Sequence, residues 1–410
     1  MRKYIQRIRD MQSQSYETDR RLSKVDYQGK KVLLLDGYGR QIPSLLHQLH
    51  ELGCRVTTIN EKKLDIGNTS RYPARKIVVP GIREDMTVYR NAVMKELENG
   101  YDVLFPVLEK STDICTDGEI QAKYPELKII AAPREAFLKA YDKQETMIIS
   151  MKNGIPCPIT KMDDETMEEF LSKVSFPICA KPRKGSGGAG FKRIPSREVL
   201  DSYIADGTIV PEEYVIQELI PKGRYQYGCY VMMDENHKPQ STLVVETNRW
   251  FPIDGGPGCY IRTIHHQGIT DSTNRLFEIM NWKSFGHAAF IMDPRDNTPK
   301  LMEINGRIPA GIRICEWAGT EPVRNMLDLA YGKPLQKMTK PIPEHLALRY
   351  FHTDLMWFIK NPDRWKANPS WFYCLKQKDY IFSWADPIPF FSYAIEHAAT
   401  YKEDMKKRQH

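Results

Sequence analysis

The chain has 410 residues, of which 41% are hydrophobic and 27% are charged, and its formal net charge is +7. This length predicts two or three domains, and because the basic residues are mixed with acids, the charge does not favour nucleic-acid binding. No apolar run approaches the roughly 20 residues that cross a bilayer, and the first residues lack a secretory leader, so we expect a cytoplasmic protein without stable membrane insertion. The eight cysteines stand singly, so we expect neither disulfides nor a zinc site.

The first third of the chain predicts an arm followed by an α/β domain. Residues 1–28 are rich in charge and predict a helical arm that ends at the turn-forming Gly29. From 29 to 135, strand-like runs such as KVLLLDGYG and YDVLFPV alternate with helical runs such as IPSLLHQLHELG. This alternation predicts an open, mainly parallel sheet with ligands at the carboxyl ends of its strands.

A second domain is predicted over residues 136–335. It starts with a helix that ends at Gly154 and then carries several strands, including SFPICAKP, EYVIQELI, YGCYVMMD and STLVVETNRW. Residues 336–410 form a C-terminal extension rich in Trp, Phe and Tyr.

The segment ICAKPRKGSGGAGFKRI carries a signal for phosphate binding. Lys181 ends a strand and is followed by Gly185, Ser186, Gly187 and Gly188. Small residues let backbone N–H groups approach an anion, and the neighbouring lysines and arginine supply positive charge. A flexible hairpin turn explains the same residues, so the segment alone leaves both interpretations open.

Two further strands carry polar residues at or near their ends. In YVIQELIPKG, an apolar strand ends at Glu218. The carboxylate suits a ribose hydroxyl, and the neighbouring main-chain groups suit adenine. An exposed glutamate at a strand end is the alternative interpretation. In LMEINGRIP, Glu303, Asn305 and Arg307 share one face of a strand. Carboxylate and amide oxygens suit Mg²⁺, and the arginine suits a phosphoryl group, whereas a half-exposed strand is the simpler reading.

In this order, the motifs resemble the ATP-grasp superfamily, and more closely its carboxylate–amine ligase-like members related to carbamoyl-phosphate synthase. The resemblance covers about residues 31–335 and implies an α/β protein, an ATP-grasp fold with an N-terminal pre-ATP-grasp, Rossmann-like domain. It also implies ATP and Mg²⁺ as cofactors. The residues that it implies are Lys143, Lys181 and the loop of Gly185, Ser186, Gly187 and Gly188 for the phosphates; Gln217, Glu218 and Leu219 for adenosine; Glu303 and Asn305 for the metal; and Arg307 beside the reacting phosphate.

The resemblance also implies a substrate side, and it shows departures. Arg249, in NRWFPIDGGPGC, matches an arginine that clamps an anionic substrate or intermediate, and Arg313 is a weaker candidate; a structural ion pair is the alternative for both. Relatives carry a second acidic metal ligand where this chain has Ala289. Asp293 is the nearest acid, and we therefore predict it as a further metal ligand.

The function that the resemblance implies is ligation of a small-molecule carboxylate to an amine through an acyl phosphate, with release of ADP and phosphate. The alternative is an ATP-binding scaffold or regulator that has lost turnover, and Ala289 is the reason to consider it. A small-molecule kinase is a third possibility. The sequence names neither substrate, and a homodimer is compatible with it.

Overall fold

The structure, a computed structural model, describes residues 26–185, 190–221, 223, 225–253, 256–336, 338, 340–373 and 375–396. The helical arm predicted for residues 1–28 therefore lies almost wholly outside the described residues, as do Ser186, Gly187 and Gly188 of the predicted phosphate loop. Within the described ranges, every helix is too short or too polar to pass through a bilayer.

The first unit is a five-stranded sheet in which all paired strands are parallel, in the order β3-β2-β1-β4-β5. The predicted open parallel sheet is thus present. Its elements are β1 (Lys31–Leu34), α1 (Ile42–Glu51), β2 (Arg55–Asn60), α2 (Ile66–Thr69), β3 (Arg75–Val78), α3 (Met86–Leu97), β4 (Val103–Phe105), α4 (Glu109–Thr116), α5 (Glu119–Lys123) and β5 (Lys128–Ile129).

The strand β1 shows why this sheet forms. Val32, Leu33 and Leu34 are fully buried, because a parallel strand with helices on both sides has no face in water. Leu33 packs in one apolar cluster and its two neighbours in another, as the alternation of strand side chains requires. The chain order places β1 beside β4 at the centre of the sheet, where the connections on its two sides diverge.

A small antiparallel sheet follows, in the order β7-β6-β8. The helix α7 before it begins immediately after Asp142, whose carboxylate accepts a hydrogen bond from the backbone N–H of Gln144. The elements of this part are α6 (Arg134–Tyr141), α7 (Lys143–Lys152), α8 (Met167–Leu171), β6 (Ile178–Pro182), β7 (Lys192–Ile194), α9 (Arg197–Ala205) and β8 (Tyr214–Glu218).

The largest sheet has seven strands in the order β13-β12-β9-β10-β11-β14-β15. All its pairs are antiparallel except β14 with β15. Its elements are β9 (Gln226–Met233), β10 (Pro239–Trp250), β11 (Gly258–Ile264), α10 (Gln267–Ile279), β12 (Ser284–Asp293), β13 (Thr298–Asn305), α11 (Ile312–Ala318), α12 (Pro322–Ala330), β14 (Ala347–Arg349), α13 (Phe351–Lys360), a short 3₁₀ helix (Arg364–Lys366) and β15 (Gln377–Asp379).

One apolar core joins the first unit to the large sheet. It contains Val32 and Phe105 of the parallel sheet together with Tyr230, Ile261 and Leu348 of the seven-stranded sheet. The carboxyl ends of β1 and β4 therefore face the large sheet. The aromatic-rich segment is part of that sheet too, because β14 and β15 lie within it, while the domain boundaries drawn from the sequence stay predictions.

Candidate functional site

Two predicted lysines lie on different elements and point to the same region. Lys143, the first residue of α7, donates from Nζ to the carbonyl of Gly185 at 2.6 Å, and Lys181 of β6 donates from Nζ to the carbonyl of Met302 at 3.0 Å. Burial lowers the pKa of both ammonium groups, and the Glu303 carboxylate opposes that shift. Both lysines are thus cations in a poorly hydrated place, where an anion would stabilise them.

The predicted metal ligands line a small cavity with one of these lysines. Glu303, Asn305, Lys143 and Gly185 all contribute to its wall, which is completed by Glu109, Ala140, Tyr141, Ile304 and Gly306. The structure therefore brings together residues separated by more than 150 positions in the sequence, namely those of the α7 start and the β13 end. Oxygen and cationic groups dominate the side chains that converge there.

His287 of β12 lies directly opposite Asn305 in the hairpin of β12 and β13. The Asn305 Nδ2 donates to Nδ1 of His287 at 3.0 Å, which fixes the amide nitrogen on the histidine side. Burial lowers the pKa of His287 to about 3, so the ring is neutral and Nδ1 can accept. Sequence reasoning missed this histidine; the strict cross-strand pairing of a hairpin is the signal that locates it.

Arg307 is held by an acid from the parallel sheet. Its Nε lies 2.9 Å from Oε1 of Glu109, which begins α4 just after the carboxyl end of β4. The preceding loop is fixed by Asp36, because its carboxylate accepts from the backbone N–H of Leu108 at 2.9 Å and from the Ser111 hydroxyl. Glu109 was also missed, although its place after a parallel strand is where ligand-binding residues are expected.

The residues predicted for adenosine have mixed outcomes. Glu218 accepts from the backbone N–H of Ile159 at 2.9 Å and pairs with Arg295 Nη2 at 2.8 Å, so its carboxylate already has partners. Gln217 is fully buried, and neither polar atom of its amide has a hydrogen-bond partner. A buried unpaired amide costs about 1–3 kcal/mol. Leu219 follows the strand and is half-buried. Contact of these residues with adenosine stays a prediction.

Asp293 does not lie at the cavity, and this corrects the expectation that it replaces an acid at Ala289. Ala289 faces Glu303 across the hairpin, whereas Asp293 faces Thr298 at the hairpin end. Four residues of strand separate Asp293 from Ala289, or about 13 Å, so one Mg²⁺ with oxygen ligands at about 2.1 Å cannot contact both Asp293 and Glu303. Asp293 instead pairs with Arg295, whose hydrogen bond lowers the pKa of this carboxyl.

Arg249 was predicted to clamp an anionic substrate, but it is buried in an ion pair within the fold. It is 2% exposed, and its Nε and Nη2 donate to the fully buried Asp354 at 2.6 and 3.0 Å. Its guanidinium stacks 3.9 Å from the ring centroid of Tyr260. Arg313 donates from Nη1 to the carbonyls of Asp379 and Phe382. Both arginines therefore attach the aromatic-rich segment to the fold through partners more than 60 residues away in the sequence.

The residues present fit a nucleotide with Mg²⁺ in part. Glu303 and Asn305 offer one carboxylate and one amide oxygen, and Mg²⁺ usually takes only one or two protein carboxylates because phosphates and water complete its shell. In the described part of the chain, no three His, Cys, Asp or Glu side chains form a metal cluster. A metal here would thus depend on the phosphates that Lys143 and Lys181 are placed to bind.

Comparisons with known proteins give the same picture. No model of a known protein family matches the chain. The chain is 24% identical over 148 residues to a D-alanine–D-alanine ligase of Parabacteroides distasonis, covering 34% of this chain and 44% of the ligase. It is 22% identical over 253 residues to the arginine-specific carbamoyl phosphate synthase large chain of Halalkalibacterium halodurans, covering 58% of this chain and 24% of the synthase. The matches thus span less than half the length of each of these two relatives.

A solved structure decides the fold. The biotin carboxylase domain of Hydrogenobacter thermophilus 2-oxoglutarate carboxylase, solved with MgADP and bicarbonate, superposes with a TM-score of 0.63 over 78% of this chain and 73% of that one. The chain has the ATP-grasp fold. At 15% identity the superposition shows the ATP-grasp architecture and not the reaction. The resemblance inferred from the ordered motifs is confirmed.

Proposed function

We propose that this ATP-grasp protein is an ATP- and Mg²⁺-dependent ligase that joins a carboxylate to an amine. The observation that carries the proposal is the cavity where Lys143, Gly185, Glu303 and Asn305 meet, next to the Lys181 ammonium. The similar ligases and the MgADP of the similar carboxylase domain support it.

In the proposed reaction, a carboxylate oxygen of the substrate attacks the γ-phosphorus of ATP, the bond to the bridging oxygen breaks, and ADP leaves. The amine then attacks the carbonyl carbon of the acyl phosphate and phosphate leaves, while the amine proton passes to solvent or to a base. Free carboxylate reacts poorly with amines because oxide is a bad leaving group, and phosphorylation removes that obstacle.

Each residue has a separable role in this scheme. Lys143 and Lys181 bind phosphate oxygens, and ligand binding returns counter-charge to two ammonium groups that burial now disfavours. Glu303 and Asn305 hold Mg²⁺, which when bound supplies neutralisation of phosphate charge. Arg307, kept in place by Glu109 at 2.9 Å, is directed at the phosphoryl group in transfer.

Replacing Lys181 by Met tests this function. We expect carboxylate- and amine-dependent ADP release to fall by at least about 100-fold, since a preorganised charge on the transferred group is lost. The melting temperature without ligand should hold or rise, because a buried ammonium is removed. Lys152→Met, at the exposed end of α7 opposite to Lys143, is the matched control. Full ADP release by the Lys181→Met variant would contradict the proposal.

A second function has one observation in its favour. Ala289 stands opposite Glu303 where a second carboxylate would complete the metal site, and Asp293 is out of reach. This favours a nucleotide-binding scaffold that has lost turnover. Thermal stabilisation by Mg·ATP, together with no ADP release across a panel of amino acids, sugar acids and short peptides with amines, would select the scaffold over the ligase.

A further inference from the structure

Arg40, in the loop between β1 and α1, contacts two aromatic rings from the C-terminal part of the chain. Its guanidinium carbon lies 4.7 Å from the ring centroid of Tyr350 and 5.4 Å from that of Tyr380. A cation is stabilised over the face of an aromatic ring. The centroids of the two tyrosine rings lie only 6.0 Å apart, so both rings contact the guanidinium from neighbouring directions and leave its other side to bond elsewhere.

One nitrogen of that guanidinium, Nη1, is buried and has no hydrogen-bond partner among the residues that the structure describes. Within the same residues, no carboxylate lies within ion-pair distance of Arg40. Arg249 and Arg349, the neighbouring buried arginines, both pair with Asp354. A buried, charged donor left unpaired is costly, so this one calls for a partner beyond the described residues.

The position of Arg40 points to the substrate side of the site. The loop follows the carboxyl end of β1 at the centre of the parallel sheet, where ligands of such sheets bind. Tyr230 connects this place to the metal end, since its ring centroid lies 4.8 Å from that of His287. Arg40 and Arg307 both oppose the rise in the pKa of Tyr230 that burial causes, so the two guanidinium groups approach one phenol.

We propose that Arg40 binds a second anionic group of the acid substrate, a carboxylate or a phosphate that does not react. The planar fork of a guanidinium matches both groups through two parallel hydrogen bonds. This inference rests on the proposed ligase function, in which the reacting carboxylate lies at Arg307 and the γ-phosphate. The substrate class that follows is a doubly anionic acid.

The test compares paired ligands on the full chain with Mg·ADP present. Glutarate against butyrate probes a second carboxylate, and 3-phosphoglycerate against glycerate probes a phosphate; affinities are measured by ligand-detected NMR. We expect wild type to bind one doubly charged acid at least about tenfold more tightly than its partner, which is the effect of one charge-assisted hydrogen-bonded pair. The Arg40→Met variant should lose that preference and keep its response to Mg·ATP.

Two controls separate recognition from structure. Arg55→Met removes an exposed arginine at the other end of the same sheet and should change nothing. Arg40→Lys keeps a cation beside the tyrosines but lacks the fork, so it should keep the melting temperature and lose most of the preference. The proposal is overturned if no doubly charged acid binds wild type better than its partner, or if Arg40→Met retains the preference. Failure of the ligase function shows separately, as absent ADP release by wild type across the panel of acids and amines.

Discussion

Asn305 and His287 face each other across the β12–β13 hairpin, joined by a hydrogen bond of 3.0 Å from the amide nitrogen to Nδ1. The amide nitrogen is thereby committed to the histidine, so the amide oxygen is the atom left for the cavity that Glu303 and Lys143 also line. Partners behind a ligand commonly set its orientation and its affinity for the metal. His287 is in this sense a positioning residue for Asn305.

Replacing His287 by Ala should therefore weaken Mg²⁺ binding. We expect the Mg²⁺ concentration at half of the ATP-induced thermal stabilisation to rise about 10- to 100-fold, the usual range for loss of such a partner. His287→Gln offers an amide oxygen as acceptor and should restore part of the affinity, whereas the exposed His265→Ala should leave it unchanged. An unaltered Mg²⁺ titration for His287→Ala would show that the amide needs no such support.

The place of Ala289 opposite Glu303 allows the reverse experiment. Directly paired residues on neighbouring antiparallel strands have Cβ atoms about 4.5–5.5 Å apart, so Ala289→Glu puts a second carboxylate beside the first. We expect the Mg²⁺ requirement of ATP binding to fall about tenfold. Without Mg²⁺ the variant should melt at a lower temperature than wild type, because the two carboxylates repel each other.

Asn297→Asp is the control, since it adds the same charge in an exposed turn at the far end of the hairpin. A gain of ADP release in Ala289→Glu along with the gain in affinity would show that the missing acid limits turnover in wild type. If Ala289→Glu leaves the Mg²⁺ requirement unchanged, then the metal does not bind beside Glu303.

The ordered motifs of the sequence indicated candidate site residues that the fold brings together, and the roles of these residues stay predictions. Lys143, Lys181, Glu303 and Asn305 sit at predicted strand ends or helix starts, and the fold brings their elements together. The parallel sheet also followed from the alternation of strands and helices.

Other parts depend on partners that are remote in the chain. Arg249 was read as a substrate clamp, and only the tertiary structure shows that Asp354, 105 positions away, neutralises it. Whether Asp293 could bind the same metal as Glu303 depended on the register of one hairpin, including its irregularity between Ala289 and Phe290. Charge pairing at long range and strand register are set by packing, which a single sequence does not display.

The buried cluster of Arg249, Asp354 and Arg349 predicts a large loss of stability on removal of its acid. Asp354 is fully buried and lies 2.6 and 2.7 Å from the Nε atoms of the two arginines. Asp354→Ala leaves two buried guanidinium groups without an anion, and we expect the free energy of unfolding to fall by about 3–5 kcal/mol. Urea unfolding followed by circular dichroism measures this loss.

The matched control for Asp354→Ala is Asp363→Ala, whose exposed pair with Lys366 should contribute less than about 1 kcal/mol. Equal losses from the two substitutions would contradict the buried role. The same cluster predicts that Arg249→Met lowers the free energy of unfolding without a selective rise in the KM of either substrate. A selective rise in KM at unchanged stability would instead return Arg249 to the substrate site.

Glu61, after β2, predicts a pH dependence of stability. Burial raises the pKa of this carboxyl to about 7 from its ordinary 4.5, and the Asp65 charge adds to the shift. The unfolded chain therefore loses this proton at lower pH than the folded chain, so the stabilisation is complete below pH 4.5 and is lost as pH rises to about 7. Because the side chain is only partly buried, solvent screens part of this effect, and about 3 kcal/mol is its upper bound.

Glu61→Gln removes that titration while keeping a side chain of similar shape. We expect the difference in free energy of unfolding, Glu61→Gln minus wild type, to increase by up to about 3 kcal/mol between pH 4.5 and pH 8. Urea unfolding at pH 4.5, 6 and 8 gives the difference, and the exposed Glu126→Gln is the control. Asp65, whose pKa burial raises to about 6, titrates in the same range and interacts with Glu61, so the difference reports the titration of the pair. A difference between wild type and Glu61→Gln that stays constant with pH would show that folding does not shift the pKa of Glu61.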